Sequence, residues 1–119
     1  MKKIKTVLLA FFVGSILSCA SSTASISEEL IIAPDPENPF QGTWVSMGYK
    51  NYMHVINGMN GEWFSFNPGY YGIGRGWVKQ AVYAIEEKDD GFTTSNNWRI
   101  SVNGNILTVE SMTYERFVK

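Results

Sequence analysis

Turn-forming pairs punctuate this chain at short intervals after residue 56: Asn57-Gly58, Asn60-Gly61, Pro68-Gly69, Asp90-Gly91 and Asn103-Gly104. Asparagine, aspartate and glycine tolerate the positive φ angles of tight hairpins, so each pair marks a place where one strand can reverse into the next. Most of the segments between them suit strands of a few residues rather than helices of several turns. An antiparallel meander is the expected arrangement.

Candidate strands lie at Gln41 to Met47, Asn51 to Asn57, Glu62 to Phe66, Gly91 to Ser95 and Thr113 to Val118. Most alternate, as Phe64 and Phe66 do against Trp63 and Ser65. The clearest hairpin runs from Arg99 to Val102, turns at Asn103-Gly104 and returns from Asn105 to Val109. Gly76 to Lys88 is ambiguous, because Val78, Ala81, Val82 and Ile85 recur at helical spacing while Val82, Tyr83 and Ile85 also lead into a turn as a strand would. Its β-branched and aromatic content tips it to strand. With about seven or eight short antiparallel strands, closure removes every exposed edge, so the expected fold class is all-β, a small antiparallel meander barrel.

No disulfide can brace such a barrel, since Cys19 is the only cysteine. A domain of about eighty residues buries only roughly 60 to 65% of its unfolded surface, so large side chains must supply the core. All four tryptophans, all six tyrosines and five of the seven phenylalanines fall after residue 39. Charge is balanced there, with seven acidic and seven basic residues from Phe40 to Lys119, so nothing attracts nucleic acid or anionic lipid head groups.

On the first strand, Gly42-Thr43-Trp44 resembles the Gly-x-Trp signature that opens lipocalins and related calycin barrels. Arg116, on the last strand, is placed like the arginine that packs across that tryptophan in the family. The stretch from Asn38 to Lys119 is similar to the short lipocalin-like domains of bacterial lipoproteins, including those of spirochaetes. This resemblance implies a barrel whose closed end is sealed by Trp44 and Arg116. The domain is about half the family's usual length and has no Thr-Asp-Tyr motif, departures that argue against a large ligand cavity.

The N-terminus reads as an address. Lys2, Lys3 and Lys5 precede an apolar run from Val7 to Leu17, the pattern of an export signal and too short for a spanning helix. Ile16, Leu17 and Ser18 before Cys19 resemble the lipobox of bacterial lipoproteins. The resemblance implies removal of residues 1–18 and attachment of diacylglycerol, with further acylation by a fatty acid such as palmitate, at Cys19. The alternative is ordinary cleavage after Ala20 or Ala24, which leaves a soluble secreted protein. Ala20 stands where an aspartate would signal inner-membrane retention, which favours the outer membrane of a bacterial envelope. Residues 19–39, rich in Ser, Thr, Pro and acid, are expected to form the lipidated cysteine and a flexible tether to a barrel over residues 40–119. Within them the apolar patch Leu30 to Ala33 is expected to lie along the domain as a stray strand.

For function, the stretch from Asn67 to Gly76 combines four glycines and a proline with Tyr70, Tyr71 and Arg75, residue types used in recognition. These three are the candidate ligand or partner contacts; folding of the tyrosines onto the barrel rim is the structural alternative. His54, the sole histidine, is expected to be structural. Its pairing with Met47, Met53 and Met59 for copper, or with Tyr70 or Tyr71 for haem, lacks diagnostic spacing, so no metal and no cofactor is expected. The run Glu86-Glu87-Lys88-Asp89-Asp90 reads as a solvated turn, and no nucleophile elbow or free thiol is present for hydrolysis. The sequence therefore reads as a membrane-anchored binding module for a small apolar ligand or for an envelope or host protein, not an enzyme. The alternatives are an inhibitor of lysozyme or proteases, or a structural envelope lipoprotein.

Overall fold

The computed structural model describes residues 25–69, 72 and 74–118. Cys19 and the signal sequence lie outside the described residues, as do Tyr70 and Tyr71.

Eight strands follow one another: β1 Gly42–Ser46, β2 Tyr52–Asn57, β3 Asn60–Asn67, β4 Gly76–Lys88, β5 Gly91–Thr94, β6 Arg99–Asn103, β7 Ile106–Val109 and β8 Met112–Phe117. Each pairs antiparallel with the next, and β1 also pairs with β8, so the meander closes into a barrel. The all-β barrel expected from the turn spacing is the fold of the chain.

The ambiguous segment is strand along its whole length. It runs against β3 up to Ala84 and against β5 from Ile85. Tyr83 and Ile85 are buried in the core, whereas Val82, just before them, is 61% exposed, so the apolar spacing that mimicked a helix does not describe one face. In the β6–β7 hairpin Asn103 still pairs with Ile106, which places the turn on Gly104-Asn105, one residue later than the Asn-Gly pair suggests. Positive φ falls on Gly104 alone (64°), the pattern of a turn with glycine at its first central position. The β2–β3 hairpin repeats it with Gly58 (φ 69°) and Met59.

Inward-facing side chains fill the barrel: Trp44, Ile56, Tyr83, Ile85, Ile100, Leu107 and Tyr114 form one buried cluster with Phe40. Gly61 is required where Tyr83 crosses β3, because a Cβ there would overlap the tyrosine ring. At one end Phe40 folds under the barrel, its ring edge-on to Phe92 at 4.9 Å and its carbonyl accepting the Trp44 indole N–H at 2.9 Å. Asn38 holds this entry in place, with its side-chain amide donating to the Gly58 carbonyl (2.7 Å) and its side-chain oxygen accepting the Phe40 N–H (3.1 Å).

From Ser25 the segment expected as part of a tether lies along the outside of β1, β2 and β3. Ile26, Leu30 and Ile32 pack on Met53, Val55 and Phe64, with Val45 and Trp77 at the margin. Thr43 pins the strap: its hydroxyl donates to the Leu30 carbonyl (2.7 Å) and accepts the Ile32 N–H (2.8 Å). The Trp77 indole reaches the Ser25 carbonyl at 3.1 Å. Covered from outside and filled within, β2 is buried on both faces from Met53 to Ile56. A polar-rich segment stays docked because its few apolar residues meet an apolar outer face.

Candidate functional site

Of the sequence-derived residues, the structure brings Gly42, Trp44 and Arg116 together. Trp44 and Arg116 are register partners across β1 and β8, and the guanidinium carbon lies 4.2 Å from the indole centroid. Arg116 donates through Nη1 to the Gln41 carbonyl (2.7 Å), through Nη2 to that of Pro39 (3.4 Å) and through Nε to Asn105 Oδ1 (3.0 Å). A Cβ on Gly42 would stand 2.6 Å from Nη1, and its φ of +146° is one that side chains rarely adopt. Glycine is needed at this position so that the guanidinium can lie flat on the tryptophan. The cluster ties the chain entry to the last strand and is a structural seal.

Arg75 stands elsewhere. Its guanidinium lies 5.1 Å from the centroid of the Phe66 ring, beside Trp77 and the start of the strap, where it lines an outer groove of about 510 Å³ with Ser25, Glu29 and Phe64. Grooves of about 340 and 170 Å³ also flank the strap. All three are seams left where residues 25–32 cross the sheet.

The loop end of the barrel offers a different kind of site, open to solvent at its mouth. The loops over residues 47–51, 95–98 and 110–111 share the end of the barrel opposite Phe40. There a cavity of about 250 Å³ is lined by His54 of β2, Trp63 of β3, Trp98 before β6, Val109, Glu110, Ser111 and Met112 of the β7–β8 hairpin, and Tyr114 of β8. Its rings are mutually braced. Trp98 lies 6.0 Å from Trp63 and 6.1 Å from His54, both edge-to-face, and His54 meets Tyr114 at 4.6 Å. Tyr52 stacks behind Trp63 at 6.0 Å, and both offset-stacked and edge-to-face pairs are favoured by the ring quadrupoles.

His54 is 1% exposed, and burial pushes its imidazole down to about 3, so the ring is neutral in neutral solution. Its Nδ1 is 2.6 Å from the Tyr83 hydroxyl. Burial, followed by the neighbouring Tyr114, pushes the Tyr83 phenol well above its ordinary range. With both groups neutral, one hydrogen bond joins them, and a phenol that donates to Nδ1 leaves the imidazole proton on Nε2. Tyr114 is pushed up to about 12, chiefly by burial, against which a hydrogen bond to Trp63 pulls down and Tyr52 pulls further up. The hydroxyl of Tyr114 is also directed to Met112 Sδ at 3.9 Å. No buried side-chain nitrogen or oxygen among the described residues lacks a partner.

The structural role expected of His54 fits this setting. Met53 points outward beneath the strap while His54 points inward, and Met47 and Met59 are exposed, so these four residues do not converge. Sequence reasoning counted Trp63, Trp98 and Tyr114 only as bulk for the core and did not single out Met112. Alternation on β3 shows that Trp63 and Phe64 face opposite sides, but which side is interior depends on barrel closure and on the strap.

Comparison with family models, with curated proteins and with solved structures finds no match to this chain.

Proposed function

We propose that this chain is a lipid-anchored envelope protein whose barrel holds a small apolar ring compound in the aromatic cup, and that it performs no catalysis. The observation that carries the reading is the cup itself, an open-mouthed recess of about 250 Å³ at the loop end of the barrel, walled by His54, Trp63, Trp98, Met112 and Tyr114. Apolar cavities of about 150 Å³ take up benzene, and sites for drug-sized ligands run from about 300 Å³ upward. A ligand of one or two rings matches this volume, whereas a long acyl chain does not. The anchor rests on the lipobox-like residues before Cys19, and a short lipocalin-like identity is supported by Arg116 lying on Trp44 over Gly42.

A fluorescent two-ring probe such as 1-naphthol tests the reading, because Trp63 and Trp98 would transfer excitation to it. Binding is expected for the wild type and is expected to disappear in Met112→Trp, which fills the cup from the hairpin. Undiminished binding in that variant, or equal affinity for a fluorescent long-chain fatty acid, overturns the assignment. Labelling of cells with a radioactive fatty acid tests the anchor; label absent from the protein removes it.

A further inference from the structure

We infer that the cup that takes small apolar groups prefers those that carry a quaternary ammonium, so that a methylated cation binds more tightly than an uncharged group of the same shape; this deepens the binding reading above and rests on it. Two indoles, a phenol and a thioether supply its walls, from Trp63, Trp98, Tyr114 and Met112. The electron-rich faces of such rings attract cations that are large, weakly hydrated and unable to donate hydrogen bonds. A trimethylammonium head is compact enough for a cavity of about 250 Å³.

Charge points the same way. Glu110 is the only formally charged residue among those lining the cup, and no Lys or Arg lines it. The Glu110 carboxylate is fixed at the mouth because its Oε2 accepts the Arg99 backbone N–H at 2.6 Å. The Arg99 guanidinium turns instead to Asp90 at 3.6 Å, and among the described residues no Lys or Arg forms an ion pair with Glu110. His54, at the base of the cup, carries no opposing charge in neutral solution. A neutral ring compound would use the walls alone, whereas a methylated cation uses the walls and the carboxylate together. Primary amines are disfavoured, because the apolar lining cannot replace the hydrogen bonds their N–H groups make with water.

The test uses the full chain in a sugar-headgroup detergent, titrated with choline and with 3,3-dimethylbutan-1-ol, its uncharged isostere, while the tryptophan indole N–H signals are followed by NMR. Choline is expected to move the Trp63 and Trp98 signals and to bind roughly five- to thirtyfold more tightly than the isostere. E110Q keeps the acceptor for the Arg99 N–H but removes the charge, and is expected to narrow that preference severalfold; W98A is expected to abolish both interactions. Vesicles of phosphatidylcholine and of phosphatidylglycerol then separate the sources of the group. Signals moved only by phosphatidylcholine assign a lipid head group, and signals moved only by free choline assign a soluble ligand. If the isostere binds as tightly as choline, or E110Q leaves the preference unchanged, the cation inference fails while the apolar cup stands. If neither compound moves the indole signals and 1-naphthol also fails to bind, both readings fall.

Discussion

The buried imidazole of His54 makes the stability of this barrel depend on pH in a defined direction. In the unfolded chain the ring titrates at its ordinary value of 6.5, and in the folded barrel burial pushes it down to about 3. The unfolded state therefore takes up a proton first as pH falls. Stability is complete above 6.5, declines from there, and reaches its full loss near 3. Each pH unit within that window is worth about 1.4 kcal/mol, so moving from pH 7.5 to 4.5 should remove about 3 kcal/mol through this one residue. For a small domain that corresponds to a fall of roughly 10 to 20 °C in melting temperature. Urea unfolding at both pH values, run on the wild type and on His54→Gln, isolates the term. Glutamine does not titrate and still offers an acceptor to Tyr83, so the wild type should lose about 3 kcal/mol more than the variant across the interval. Parallel losses in the two proteins, or an imidazole NMR titration of the folded chain centred near 6.5, would refute the reasoning.

Arg116→Ala removes the contact on Trp44 and three hydrogen bonds, and should lower stability by about 2 kcal/mol, with Arg116→Lys recovering less than half because an ammonium cannot match the fork of acceptors. Gly42→Ala should do similar damage from the other side of the same contact; thermal melting of the three variants checks both, and unchanged midpoints remove the seal. Thr43→Val keeps the shape of a fully buried side chain while deleting both bonds to the strap, at a cost of about 2 kcal/mol. Amide exchange at Ile32 should accelerate in this variant while that of Trp44 and His54 stays slow, and equal acceleration throughout would show that strap and barrel open as one unit.

Much of the architecture could be read before any coordinates. Four of the five turn pairs fall at strand connections because only a few residue types accept positive φ, whereas Asn60-Gly61 opens β3, its glycine needed for the Tyr83 ring and not for a turn; the apolar alternation between the turns gives strands whose closure is the natural way to lose edges. Gly42, Trp44 and Arg116 were legible as a set only through a resemblance of motif; the structure supplies the physical reason, since a ring, a cation and a missing Cβ form one steric requirement. Harder to see was the cup. Whether Trp63 faces a ligand cavity or a packed core depends on how far Tyr83, Ile100 and Leu107 fill the barrel behind it, and that is a matter of volumes meeting across strands far apart in sequence. The strap was half visible, since Leu30 to Ala33 stood out as an apolar interruption in a polar segment. Its docking needed a partner surface, and the outward row of Met53, Val55 and Phe64 exists only once β2 and β3 are paired in register.

Local chemistry in the sequence thus determined where the chain turns, which segments extend, and that a domain without a disulfide must be held by aromatic burial. Tertiary structure alone decided which aromatics are spent on the core and which are left to line a cavity. It also turned His54 from a solvated base into a neutral one, because burial is a property of the closed barrel and not of the strand that carries the residue.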